Sequence, residues 1–229
     1  MISCLQYYFI KHHDLFHHLS DNDTIEFCRS AEFKTKVKDE FIYNFKDEIT
    51  RFYTVLQGRI KIAFYREKGV EVVSEILKEG DIFGQLKLEV SPNSNCEFAQ
   101  VLSHEALICE IELDKLRELL TRNVELAANL SMKIGQKIEI INRKFSDLVF
   151  KNVKARVLNF FILHARYEGK WSGNKVEINM YCNQQDIANF TASSRQTVST
   201  IINELVDNKT IIFQGRNKLT IPDVRRLEN

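Results

Sequence analysis

The spacing of apolar residues changes three times along this chain, and each change marks a boundary between kinds of structure. From Phe33 to Ile111 short apolar runs alternate with polar residues, as in RFYTVLQG, RIKIAFY, EVVSEILKEGDIFG, FAQVLS and ALICEIEL. A period of two, repeated over many short segments divided by turns, predicts the strands of an antiparallel sandwich or roll. Gly58, Gly69, Gly80 and Gly84 stand at the punctuation points, where positive φ or close backbone approach is expected. Residues 1 to 30 read as helical and irregular, with Leu15, Phe16, Leu19, Ile25 and Phe27 as apolar contacts and Ser20 or Asp21 as a helix cap.

After Ile111 the period lengthens. Leu113 to Leu120 predicts a short helix capped by Asp114, and a long proline-free helix runs from about Asn123 to Val149. On it, Ala127, Leu130, Ile134, Ile138, Ile141, Phe145 and Leu148 recur every three or four residues, close to a coiled-coil seam with one stutter. Such a stripe packs either on its own domain or on a copy of itself.

Phe150 to Asn152 reads as a junction, and VKARVLNFFILHARYEG as a helix with Val157, Leu158, Phe161, Ile162 and Ala165 on one face, ended by Gly169. Lys175 to Met180 is strand-like. The stretch YCNQQDIANFTASSRQTVSTIINELV then predicts two short helices on a polar turn. Asn183 caps the first, which carries Ile187, Ala188 and Phe190. Ser193 or Ser194 caps the second, which carries Val198, Ile201, Ile202 and Leu205. The second helix's other face holds Arg195, Gln196, Ser199, Thr200 and Asn203, with Glu204 alone opposing phosphate. Donors, acceptors and little negative charge near a helix N-terminus suit the major groove of double-stranded DNA. A bare helical hairpin with a solvated face would look similar. The segment beyond Asn208 favours the DNA reading: IIFQGRNKLTI forms a hairpin pattern around Gly215, Arg216 and Asn217, and a helix-turn-helix with a basic-tipped hairpin behind it is a winged helix.

Charge sharpens this picture. The chain has 229 residues and a net charge of +1, but the halves differ. Up to Phe150 there are 20 Lys and Arg against 24 Asp and Glu; beyond it, 12 against 7, so the half with the helix pair is the basic one. Cys4, Cys28, Cys96, Cys109 and Cys182 lie too far apart for a paired framework and read as reduced thiols. MISCLQYYFIKHH lacks the pattern of a signal peptide and no apolar run approaches a membrane span, so a cytoplasmic protein is expected. His13 and His17 stand one helical turn apart, yet without a third ligand they read as solvated surface residues, and no metal site is assigned. His104 and Cys96 read as structural, not as haem ligands. No nucleophile and base appear at catalytic spacing, so neither an enzyme nor a cofactor is expected.

Through S-S-R-Q-T-V-S at Ser193 to Ser199 and the hairpin behind it, the chain resembles the Crp/Fnr family of bacterial transcription regulators. The likeness extends upstream, where FYTVLQGRIKI and KEGDIFGQL resemble that family's cyclic-nucleotide-binding roll, although Asp39 and Lys46 stand where relatives often have glycine. The resemblance implies an α+β chain: residues 1–122 an antiparallel β-roll of the jelly-roll type, 123–150 a dimerisation helix and hinge, and 151–229 a winged helix-turn-helix. It implies a homodimer joined through Leu130, Ile134, Ile138, Ile141 and Phe145. It makes Arg195 a base reader, able to pair with guanine, with Gln196 and Thr200 beside it. Ser193, Ser194, Ser199 and Gln185 become phosphate or positioning contacts, and Arg216 and Lys218 the wing.

The resemblance fails at the nucleotide cassette. Gly84, Gln85 and Leu86 replace a glycine-glutamate-leucine run, and the arginine, hydroxyl and small positions fall on Cys96, Glu97 and Phe98. Ile141 and Asn142 fall at pocket-facing positions of the long helix. A phosphodiester without a cation and beside Glu97 loses its charge-assisted pairing, and Phe98 is expected to crowd it. Cyclic nucleotides are therefore not expected in the family's binding mode. The pocket is either filled by side chains or takes another small-molecule effector. RNA polymerase is a further partner implied. The rival reading is a ligand-binding sensor whose winged helix makes protein contacts.

Overall fold

The computed structural model describes residues 3–44, 50–65, 71–84, 86, 97–215 and 217–227. Gly69, Gln85, Cys96, Arg216 and Lys46 lie outside the described residues. The chain divides into two compact units, one dominated by residues up to Ile141 and one by residues from Asn142 onward.

The first unit opens with helices α1 (Cys4–His12) and α2 (Asp21–Ser30). Ser20 caps α2 by accepting from the backbone N–H of Asp23. Next come strands β1 (Glu32–Val37), β2 (Phe41–Tyr43), β3 (Arg51–Gln57), β4 (Ile60–Tyr65), β5 (Glu71–Leu77), β6 (Ile82–Gly84), β7 (Glu97–Val101) and β8 (Glu105–Glu112). They form two four-stranded sheets, ordered β1-β8-β3-β6 and β2-β7-β4-β5, and every register described is antiparallel.

Alternation along β3 explains how two cores share one sheet. Phe52 and Leu56 point to a core completed by Ile10, Leu15, Phe16, Phe27, Leu116, Leu126 and Leu130 from the helices. Tyr53 and Val55 point the other way, into an inter-sheet core with Tyr43, Ile60, Ile62, Phe83, Ala99 and Val101. Both faces are covered, so β3 is buried nearly throughout and lacks the half-polar face that period-two patterning predicts. Gly84 has φ 82°, and a Cβ there would sit 2.4 Å from the Tyr53 ring, so both conformation and space require glycine. Asp39, where the resemblance leads to the expectation of a glycine, itself adopts a left-handed φ of 67°.

His13 is a correction to the expected surface histidine. It is buried: its Nδ1 accepts from the Leu15 backbone N–H at 3.1 Å and its Nε2 lies 2.6 Å from Thr54 Oγ1. Both ring nitrogens are spent within the core.

Helix α3 (Leu113–Arg122) has Glu112 at its N-cap and no side-chain cap bond. Asp114 does not cap it; it lies in the first turn and pairs with Arg117 at 2.9 Å. The long helix α4 runs Val124–Phe150. Leu126 and Leu130 are buried, and Ile134 packs on the same core. Leu130 is thus spent on its own domain, a correction to its place on the predicted seam. Beyond it, Ile138 (53%), Ile141 (59%), Phe145 (68%) and Leu148 (41%) are exposed in the single chain. No helix among the described residues is long and apolar enough to cross a membrane.

The second unit contains α5 (Val153–Glu168), β9 (Lys170–Ser172), β10 (Lys175–Asn179), α6 (Gln184–Phe190), α7 (Arg195–Asp207), β11 (Ile212–Gln214) and β12 (Lys218–Ile221), then a 3-10 turn at Val224–Leu227. Its strands form one sheet ordered β11-β12-β10-β9. Strand β9 is not legible in the sequence. KWS is too short to show a period, and pairing with β10 alone defines it.

Candidate nucleic-acid interface

Asn183 starts α6 with a reciprocal capping box: its side chain accepts from Gln185 and Asp186 backbone N–H groups, while Asp186 accepts from the Asn183 N–H. Thr191 closes α6, and Ala192 turns the chain with φ 49°. Ser194 caps α7 by accepting from the Thr197 backbone N–H at 3.0 Å. Val198, Ile201, Ile202 and Leu205 are buried, so the opposite face of α7 is fixed outward by the core that anchors it.

That outward face begins with Arg195, which is exposed and has no hydrogen-bond or ion-pair partner among the described residues. With Gln184, Gln196, Ser199 and Thr200 it lines an open depression of about 530 Å³. Thus four predicted residues come together, and Gln184 joins them. The hydroxyls are less free than the sequence suggests. Ser194 Oγ is engaged by Thr197, Ser193 Oγ lies 2.9 Å from Thr191 Oγ1, and Thr200 Oγ1 donates to the Gln196 carbonyl. Each keeps lone pairs, but their first role is to hold the turn and the helix. Gln185, exposed on α6, donates to Asn189 Oδ1 at 2.8 Å. Lys218 is exposed at the start of β12, beside Gly215 with φ 76° at the hairpin tip.

Two cations of α5 belong to this site although sequence reasoning does not single them out. Arg156 donates through Nε to the Thr191 carbonyl at 2.9 Å, and through Nη1 and Nη2 to those of Lys151 and Ala192. It ties α5 to the turn between α6 and α7. Lys154 pairs with Glu204 at 2.7 Å, offsetting one of the two exposed acids of α7; the other is Asp207 at its far end. The A-R-V-L run at Ala155 to Leu158 is visible in the sequence, but only the fold shows which carbonyls its arginine reaches.

The cassette positions in the roll separate. Ala99 and Val101 face the inter-sheet core, so Glu97, two residues earlier, faces inward too. Glu97 Oε1 accepts from the Tyr43 hydroxyl at 2.8 Å, and burial raises its pKa. Burial first, and then the Glu97 charge, also raises the Tyr43 pKa. Phe98 points the other way: it pairs with Ala63 and packs on Phe41 and Tyr65, with ring centroids 5.4 and 5.0 Å away. Phe98 therefore does not crowd the roll's interior, a correction that comes from its strand parity. The interior is occupied by Tyr43, Tyr53 and Phe83, whose rings lie 5.0 to 6.2 Å apart. Leu86 packs on the helix-side core. Ile141 and Asn142 are exposed on α4. Cys28 and Cys109 are buried thiols, and burial pushes Cys28 up to about 11 and Cys109 well above the usual thiol range.

An antiparallel roll, a long helix and a winged helix-turn-helix with an exposed arginine at the head of its second helix define a DNA-binding regulator with a sensor-type domain. Comparison with known proteins supplies the family. The cyclic nucleotide-binding domain matches residues 34–123 and the Crp-like helix-turn-helix domain matches 155–229, together well over half of the chain. A CRP-like cAMP-activated global transcriptional regulator of Mycobacterium tuberculosis is 25% identical over 177 residues, 77% of this chain and 78% of that protein. A global nitrogen regulator of Nostoc is 23% identical over 175 residues, 76% of this chain and 78% of that one. Among solved structures, FixK2 from Bradyrhizobium japonicum superposes with a TM-score of 0.75 at 19% identity, covering 87% of this chain and 96% of that one. The chain belongs to the Crp/Fnr family and is a DNA-binding transcription regulator. Regulators of this family bind DNA and function as dimers.

Proposed function

We propose that this chain acts as a cytoplasmic homodimer that reads a two-fold operator, with α7 of each protomer in a major groove and Arg195 as its base reader. The exposed, unpartnered guanidinium at the first turn of α7 carries this reading. A bidentate donor there suits the O6 and N7 of guanine. Gln196 and Thr200 extend the reading surface, while Ser193, Ser194, Ser199 and Gln185 order the turn and meet phosphates. Lys218 and Arg216 serve the flanking backbone from the wing. The exposed Ile138, Ile141 and Phe145 stripe supports pairing of α4 with its counterpart, which would set two recognition helices about one DNA turn apart.

The regulator controls transcription by a population shift between arrangements that do and do not match that spacing, and contact with RNA polymerase is part of the proposal. Cyclic nucleotides are not its effector in the family's mode. An inward carboxylate at Glu97 and an aromatic interior both oppose a buried phosphodiester. The test is a footprint and an affinity on an operator selected from random duplexes. Arg195→Ala should lose about 1 to 3 kcal/mol on the selected site and relax preference at one base pair. Unchanged affinity and footprint would reject the assignment.

A further inference from the structure

Helix α4 is held by apolar packing and by charged side chains, among them Lys133, which reaches Asp14 at 3.4 Å, and Lys137. Its first half is held by apolar packing, through Leu126, Leu130 and Ile134. One turn later Lys137 reaches back to Glu75 of β5, with Nζ 2.8 Å from both carboxylate oxygens. The two side chains are only 16% and 26% exposed, so the pair is largely desolvated. Beyond Lys137 the apolar residues Ile138, Ile141 and Phe145 are exposed. The ion pair thus stands where the exposed stripe begins, although it is not the last polar contact of α4, since Lys144 Nζ donates to the Val73 carbonyl at 3.3 Å.

Its surroundings reinforce it. Glu97 feels both the Glu75 and the Lys137 charge and is held by the Tyr43 hydroxyl. An ammonium paired with one largely buried carboxylate, with the charge of a second nearby, has a strong preference for staying where it is. Tyr43, Tyr53 and Phe83 fill the space behind them. The helix is therefore connected to the roll by direct side-chain contact at Lys137.

We propose that the Glu75–Lys137 pair is a built-in lock, which fixes α4 on the roll in the manner an effector would otherwise have to, so that DNA is engaged without a small-molecule ligand. The inference rests on the proposed regulator function and specifies its regulation. Removing one partner leaves a charge buried without its counterion, whereas exchanging the two preserves the contact.

Fluorescence anisotropy of the full-length protein on its selected operator tests this. The wild type should bind with no nucleotide present, and millimolar cAMP or cGMP should leave its Kd within about twofold. Lys137→Met should weaken binding by about tenfold or more, and the double exchange Glu75→Lys with Lys137→Glu should recover most of the loss. If Lys137→Met fails to fold, Lys137→Gln, which retains a hydrogen-bond donor, carries the same expectation. A wild type that binds only after nucleotide is added overturns the lock while leaving the regulator reading intact. A folded Lys137→Met or Lys137→Gln protein with wild-type affinity overturns it too. Failure to bind any duplex, with or without nucleotide, overturns the lock, and failure that a metabolite extract does not relieve overturns the operator-reading proposal as well.

Discussion

His13 shows how much one buried ring can carry. Because Nδ1 accepts from the Leu15 N–H, the proton of the neutral ring resides on Nε2, which donates to Thr54 Oγ1; that hydroxyl in turn donates to the Asp81 carbonyl at 3.2 Å. Burial, with the Lys133 charge second, lowers the His13 pKa to about 4. A base whose folded value lies below its unfolded value of about 6.5 stabilises the fold fully above 6.5. That contribution is lost as pH falls from 6.5 toward 4, and the shift corresponds to about 3 kcal/mol. Chemical denaturation of the protein at pH 7 and pH 4.5 should show the loss, and an NMR titration should keep the His13 ring neutral down to about pH 4. Arg156 makes the complementary case in the DNA-binding unit. Arg156→Met should weaken operator binding although the residue is not proposed to touch DNA, because the Thr191 and Ala192 carbonyls lose their shared donor. We expect destabilisation of about 1 to 3 kcal/mol and a proportionate loss of affinity, read by thermal melting and anisotropy together.

At the scale of elements, α4 divides its apolar positions between two tasks. Leu126 and Leu130 hold it to the roll, and the exposed stripe from Ile138 through Phe145 has no cover in a single chain. Exposing several large apolar side chains along one helix costs solvation free energy that a second copy would recover. Ile138→Glu with Phe145→Glu should therefore yield a folded monomer in sedimentation velocity, with operator affinity greatly reduced, since two half-sites can no longer be held together. A variant that remains dimeric would move the interface elsewhere. Helices α6 and α7 show a different economy: their caps and turn use up much of the polar side-chain capacity that the sequence offers for phosphate.

For the whole molecule, the division of charge matters more than its total. Residues 1–150 carry four more acids than bases and residues 151–229 carry five more bases than acids, so attraction to a polyanion is concentrated in the second unit. Operator affinity should fall steeply and linearly in a plot of log K against log salt, as phosphate contacts release counterions. Arg216→Ala and Lys218→Ala, if each meets one phosphate, should reduce that slope by about one unit apiece while leaving base preference unchanged. A flat salt response would point to protein contacts for the winged helix.

Apart from β9, the order of elements, the helix-turn-helix and the position of Arg195 at its second helix are legible in the sequence. Local rules decide them: a period of two or of three to four, a cap residue, a glycine at a turn. The basic half can likewise be read by counting. Only the tertiary structure decided which way the cassette strand faces, because shifting a strand's parity by one residue exchanges Glu97 for Phe98 on the inner side. It also decided that His13 is core, that Leu130 serves its own domain, and that Arg156 and the Glu75–Lys137 pair hold elements together. These depend on neighbours far apart in the chain, and burial and pairing across such separations leave no periodic mark in the sequence.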